Sequence, residues 1–123
     1  MSTLKGVVVG HGMLAAALVD AVQRIAGAET GLVAISNTDC DRGALEAKIH
    51  TAVGDGPALV FIDMPSGSCL FAAMRRLDGM PGIRVVSGVN LAMLLEFVFN
   101  RDGNVDEVAE HVVEVGARAV ATR

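Results

Sequence analysis

Three β-branched residues, Val7-Val8-Val9, run into Gly10-His11-Gly12, and an apolar-periodic segment begins directly at Met13. An unalternated apolar run belongs to a strand covered on both faces. The glycines mark a tight turn, and the new periodicity marks a helix. A strand buried on both sides and followed at once by a helix is the start of a layered α/β fold. The histidine then stands at the carboxyl end of the strand, on the edge of an open α/β sheet where ligands collect. Its glycine neighbours keep side-chain bulk away from the ring. On shape alone an ordinary turn residue is the stronger reading of His11. A chemical role depends on what the remaining chain brings to the same edge.

The same alternation continues to the C-terminus. The first strand is expected over residues 4 to 10. A helix from Met13 to Ala26 follows, with Leu14, Ala17, Leu18, Ala21, Val22 and Ile25 on one stripe, and Gly27 as its stop. Gly31–Ser36 reads as a strand and Asn37-Thr38-Asp39 as a polar turn. Asp41 caps a helix that runs to Val53 with Leu45, Ile49 and Val53 inward. Ala58–Asp63 is a strand ending in a carboxylate. The loop Met64-Pro65-Ser66-Gly67-Ser68 leads into a helix carrying Leu70, Phe71, Met74 and Leu77. Ile83–Ser87 is a fourth strand, and Ser87-Gly88-Val89-Asn90 opens a helix over Leu91–Phe99. A last helix spans Asn104–Gly116, and Arg118-Ala119-Val120-Ala121 reads as a short edge strand. The pattern predicts a doubly wound, mostly parallel α/β sheet of order 2-1-3-4 plus that C-terminal edge strand, with helices on both faces. Residues 1–123 form a single domain in this reading. The helix Leu91–Phe99 is apolar nearly all round, which fits either a subunit interface or a helix sandwiched within the chain.

Composition narrows the function. The chain has 123 residues, 52% of them hydrophobic, enough for a continuous core. A formal net charge of −4 without a basic cluster argues against nucleic acid and anionic membranes. The two cysteines, Cys40 and Cys69, form no CxxC pair, which fits a reducing compartment. The segment Met1-Ser2-Thr3-Leu4-Lys5 has no signal-peptide character, and no apolar stretch matches the length of a bilayer span. A cytoplasmic protein that does not itself span the membrane is expected. The three histidines show no metal-ligand spacing, so neither a metal nor a cofactor is expected. His50 and His111 fall on helices, on solvated faces.

In a 2-1-3-4 sheet the first and third strands are neighbours, which brings His11 and Asp63 to one crevice. A carboxylate on one imidazole nitrogen fixes the tautomer and leaves the lone pair of the other aimed outward. It also stabilises the cation formed when that second nitrogen attacks an electrophile. Taken alone, Asp63 is equally a cap or turn residue. The loop after it offers free backbone N–H groups, the hydroxyls of Ser66 and Ser68, and the positive end of a helix dipole, a combination that suits phosphate. Reversible phosphorylation of histidine fits this set better than hydrolysis. A receiver domain would need acidic residues where His11 stands, and a flavin module would need more aromatic faces. Cys69 reads first as a small half-buried residue in a first helical turn. Its second reading is a nucleophile whose pKa is lowered by the helix N-terminus. Ser87 and Asn90 read as turn and cap residues.

Three segments, Val8-Val9-Gly10-His11-Gly12, Phe61-Ile62-Asp63-Met64-Pro65-Ser66-Gly67-Ser68 and Val86-Ser87-Gly88-Val89-Asn90-Leu91-Ala92-Met93-Leu94-Leu95-Glu96, occur in order and at matching separations. Through them the chain resembles the IIA component of the mannose (mannose–fructose–sorbose) class of the bacterial phosphoenolpyruvate:sugar phosphotransferase system. The resemblance implies that His11 accepts a phosphoryl group through Nε2 from the phosphocarrier HPr and passes it to a separate IIB component. It implies that Asp63 orients His11 and that Ser68 contacts the phosphoryl group; Ser66, Gly67 and Gly12 complete the expected phosphate-binding set. It further implies a homodimer that exchanges its C-terminal edge strand. A regulatory protein of the same family, reporting metabolic state to a non-transport partner, would use the same histidine. The phosphoryl-donor subunit of dihydroxyacetone kinase is a third, weaker match. The family loop usually holds two glycines, a serine and a proline where Ser66, Gly67, Ser68 and Cys69 stand. A serine forced to positive φ in place of the first glycine would cost about 1 kcal/mol.

Overall fold

A computed structural model of the protein describes residues 3–123; Met1 and Ser2, which begin the segment read above as lacking a leader, lie outside them. The elements follow in the order β1 (Lys5–Gly10), α1 (Leu14–Ala26), β2 (Leu32–Ser36), α2 (Arg42–Val53), β3 (Ala58–Ile62), α3 (Ser68–Leu77), β4 (Ile83–Ser87), α4 (Leu91–Phe99) and α5 (Val105–Arg118). The strands form one parallel sheet of order β2-β1-β3-β4. This is the expected doubly wound order, and the chain reverses direction between β1 and β3.

The two inner strands show why the sequence runs lack alternation. Val7, Val8 and Val9 in β1 and every residue of β3 are buried. Successive side chains point to opposite faces. Val8, Leu59 and Phe61 enter one core beneath α1, α4 and α5, where Phe61 meets Phe97 edge to face at 5.2 Å between centroids. Val7, Val9, Val60 and Ile62 enter the other core, beneath α2 and α3. The edge strands β2 and β4 are only partly buried, as strands with one neighbour are.

Side-chain caps set three helix starts. Asp41 Oδ1 accepts from the Ala44 N–H at 2.8 Å, as expected. Asn90 Oδ1 accepts from Met93 N–H at 2.9 Å, and Asn104 Oδ1 accepts from the Asp106 and Glu107 N–H groups. Asn90 also acts as a donor. Its Nδ2 donates to the Gly116 carbonyl at 3.0 Å and so ties the start of α4 to the end of α5.

Three expectations are corrected. The C-terminal edge strand is absent: α5 continues to Arg118, Ala119 N–H still bonds to Val115 O, and residues 119–123 form no strand. Alanine and arginine around Gly116 favour helix continuation over extension. In α1 the buried stripe is Ala15, Val19 and Val22, while Leu14 and Ile25 are 45% and 60% exposed. The run Leu14–Val19 is apolar throughout, so its spacing fits two overlapping stripes, and packing selects the one with smaller residues. In α3 the buried face is Cys69, Ala72, Ala73 and Leu77, and Phe71 and Met74 are 62% and 51% exposed. Small residues let this helix lie close against the sheet and α2. The apolar helix α4 buries Met93, Leu94 and Phe97 and packs between α1 and α5 of the same chain, leaving Phe99 exposed.

Candidate active site

The site is assembled by the neighbouring ends of β1 and β3. Their ladder pairs Val9 with Ile62, and Asp63 N–H donates to Val9 O at 3.2 Å, one step beyond the strands. That bond fixes the Asp63 backbone beside the turn that carries His11. Asp63 Oδ2 then accepts from the His11 backbone N–H at 2.9 Å and pairs with His11 Nδ1 at 2.7 Å. His11 and Asp63 therefore do face one crevice, the juxtaposition inferred from strand order. The carboxylate can only accept, so the hydrogen resides on Nδ1 and the lone pair on Nε2. The Asp63 side chain is 8% exposed and the imidazole 41%. The imidazole is thus reachable while its partner is shielded.

The electrostatics follow from this geometry. Burial pushes the Asp63 carboxyl up, but the hydrogen bonds from the His11 backbone and ring outweigh it, and the group lies below its ordinary value. Cys69 goes the other way. It is fully buried, and burial followed by the charge of Asp63 pushes its thiol above the ordinary value of 9.0. This direction runs against the reading of Cys69 as an activated nucleophile: burial and the charge of Asp63 outweigh the Ser68 hydroxyl. Cys69 Sγ nevertheless stands 3.8 Å from His11 Nδ1.

Beside Nε2 the loop places a glycine. Gly67 has φ +92°, and a Cβ placed there would sit 3.7 Å from His11 Cε1 and 3.8 Å from Nε2. Gly67 occupies the N-cap position of α3, which has no side-chain cap. The first-turn N–H groups of this helix retain their capacity to bind an anion. Ser66 and Ser68 lie on either side, and both are exposed. Ser66 carries no strain, because among the described residues Asp39 is the one non-glycine at positive φ. The left-handed position of the loop falls on Gly67 instead.

Gly12 is engaged differently from the other expected phosphate ligands. Its N–H donates to Asn37 Oδ1 at 3.2 Å and its carbonyl accepts from Ser36 Oγ at 2.7 Å. Ser36 and Asn37 thereby hold the far side of the His11 turn, a role the sequence reading did not give them. The signal was present, since β2 neighbours β1 and its polar turn lies on the same sheet edge. Asn90 is a cap, as read. His111 lies exposed on α5 and His50 on α2, away from this edge.

Fold and site together define a class: a doubly wound α/β protein with an aspartate-held histidine and a helix N-terminus at the switch point of its sheet. Known proteins of this class include the IIA components of sugar phosphotransferase systems. A model of the EIIA-man family, described as "PTS system fructose IIA component", matches residues 5–113, and the chain belongs to that family. Its sequence is 29% identical over 113 residues to the sorbose-specific EIIA component of Klebsiella pneumoniae, spanning 88% of this chain and 83% of that one. Its structure is similar to the mannose/sorbose specific IIA subunit from Enterococcus faecalis, with a TM-score of 0.87 and 30% identity over 99% of this chain and 96% of that one. An EIIA component from Streptococcus agalactiae shares the fold, with a TM-score of 0.88 at 23% identity over 96% and 95% of the two chains. Membership assigns the protein a general role in sugar phosphotransfer. Among the described residues no helix is long and apolar enough to cross a membrane.

Proposed function

We propose that the protein is a phosphocarrier whose His11 takes a phosphoryl group from HPr and passes it to a IIB component. The Nε2 lone pair attacks phosphorus, the Nε2–P bond forms, and the bond to the donor breaks with its electron pair leaving on the donor. The ring then carries positive charge, which the Asp63 carboxylate opposes through the Nδ1 hydrogen bond. The phosphoryl oxygens face Ser66, Gly67, Ser68 and the first-turn amides of α3, whose dipole favours negative charge. Gly12 is held by Ser36 and Asn37, so its part is to position the turn. The reaction reverses along the same path when IIB presents its acceptor.

The observation that carries this reading is the double grip of Asp63 Oδ2 on the backbone and ring of His11. It leaves one nitrogen free, and Gly67 lies beside that nitrogen without a side chain. The protein acts in this reading as a single domain, in the cytoplasm and as a homodimer; the open edge of β4 and the exposed Val113 of α5 fit a partner subunit. Transfer of label from radioactive phosphoenolpyruvate through enzyme I and HPr tests it. Acid-labile, base-stable label on the wild type and none on His11→Ala is expected. Labelled HPr beside an unlabelled wild-type protein would overturn it.

A further inference from the structure

Three side chains from different parts of the fold meet on the inner side of the His11 ring. One ligand atom each from His11, Asp63 and Cys69 lie within 4.8 Å of one another. Asp63 Oδ2 is taken up by two bonds from His11, while Asp63 Oδ1 is buried and has no hydrogen-bond partner. Buried polar atoms are almost always satisfied, so Asp63 Oδ1 has acceptor capacity left over for a further ligand.

We propose that His11, Asp63 and Cys69 form a site for a thiophilic divalent cation, Zn²⁺, and that its occupancy silences His11 as a phosphoryl acceptor. One nitrogen, one carboxylate oxygen and one sulfur make a set that zinc accepts, with a fourth position open to solvent. Zinc bonds of about 2.1 Å to nitrogen and 2.3 Å to sulfur hold those two atoms no more than about 4.4 Å apart. The observed Sγ–Nδ1 separation of 3.8 Å falls inside that limit. The imidazole is 41% exposed, so one of the three ligands is open to solvent. A thiolate and a carboxylate neutralise its charge. The elevated thiol pKa is no obstacle, because a coordinated dication is the larger local charge and displaces the thiol proton.

The proton balance explains the silencing. The metal takes the Nδ1 lone pair, the hydrogen formerly on Nδ1 moves to Nε2, and the thiol proton passes to solvent. A neutral imidazole with metal on one nitrogen and hydrogen on the other has no lone pair with which to attack phosphorus. This second half rests on the phosphocarrier reading; the binding site itself does not. The ligands are separated by 52 and 58 residues from His11 in sequence, so no short ligand motif exists to be read.

The test begins with ZnCl₂ titrated calorimetrically into the full chain with no phosphoryl donor present. One-to-one binding is expected, weakened at least about tenfold by Cys69→Ala and by Asp63→Asn. Cys40→Ala and His50→Ala should bind as the wild type does. Co²⁺ offered to the wild type and to Cys40→Ala should give a thiolate-to-metal charge-transfer band. Absence of stoichiometric binding, or binding that Cys69→Ala leaves intact, would overturn the site. If Cys69→Ala fails to fold, the Co²⁺ band in Cys40→Ala decides: present, it supports the site, and absent, it removes it. Purified phospho-HPr is then offered to the zinc-loaded and metal-free proteins. Transfer only to the metal-free form, restored by a chelator, is expected. Equal transfer to both overturns the silencing. No transfer to either overturns it together with the phosphocarrier reading, and the calorimetric result then stands by itself.

Discussion

Asp63 Oδ2 accepts two hydrogen bonds from His11, one from the backbone N–H at 2.9 Å and one from the ring at Nδ1, 2.7 Å away. A single oxygen thus fixes both where the residue sits and which tautomer it adopts. Strand order makes this possible, because β1 and β3 are adjacent and in register up to Val9 and Ile62.

Asp63→Asn should therefore reduce the rate of His11 phosphorylation by about 100-fold or more, with the fold retained. The amide keeps the shape but loses the charge that opposes the developing imidazolium. Rapid-quench labelling from phospho-HPr, with circular dichroism as the control for folding, measures this. A rate within a fewfold of wild type would remove the electrostatic role.

Asp63 also shapes stability against pH. Its carboxyl lies below the ordinary value of 3.8, since hydrogen bonds from His11 outweigh the burial that raises it. A group whose folded pKa is depressed contributes stability above its unfolded value, and that contribution is lost as pH falls through the folded value. Urea midpoints taken from neutral pH down through the carboxylate range should fall more steeply for wild type than for Asp63→Asn. Parallel acid limbs would contradict the shift.

Gly67→Ala probes the surface facing Nε2. At φ +92° an alanine is strained by about 1 kcal/mol, and its methyl would lie 3.8 Å from Nε2, the nitrogen proposed to react. The expected result is a small fall in Tm and a loss of phosphorylation rate of about tenfold or more, because misplacement near the reacting atom is costly. Comparison of the two readouts separates crowding of the nitrogen from general destabilisation.

Asn90→Ala tests a purely structural joint. The substitution removes the cap on α4 and the bond to Gly116 O, and should destabilise by about 2 kcal/mol. Denaturant unfolding checks it. Asn90→Asp should recover most of the cap and none of the donor, falling between the two.

Much of this was legible in the residues. The unalternated runs Val7–Val9 and Ala58–Ile62 marked inner strands, and their expected order already brought His11 and Asp63 together. Asp41 and Gly27 gave the bounds of their helices because capping is local. What stayed hidden depends on packing. The side of α1 and α3 that turns inward is chosen by fit against the sheet, so Ile25, Phe71 and Met74 face outward despite their apolarity. The desolvation of Cys69 is likewise a tertiary property. The grip of Ser36 and Asn37 on Gly12 needed the β1–β2 register, which pairs Gly10 with Ser36. The extension of α5 to Arg118 was hidden because Gly116 reads as a helix stop, although the residues around it favour continuation.

The central claim is that phosphorus is carried on Nε2 of His11 while Asp63 holds Nδ1. The most direct measurement is nitrogen–phosphorus NMR of the protein labelled with ¹⁵N at histidine and phosphorylated through HPr. The account predicts one phosphorylated histidine, with phosphorus coupled to Nε2 and a hydrogen-bonded proton retained on Nδ1, and no such signal in His11→Ala. Phosphorus on Nδ1, or on any group other than His11, would contradict it.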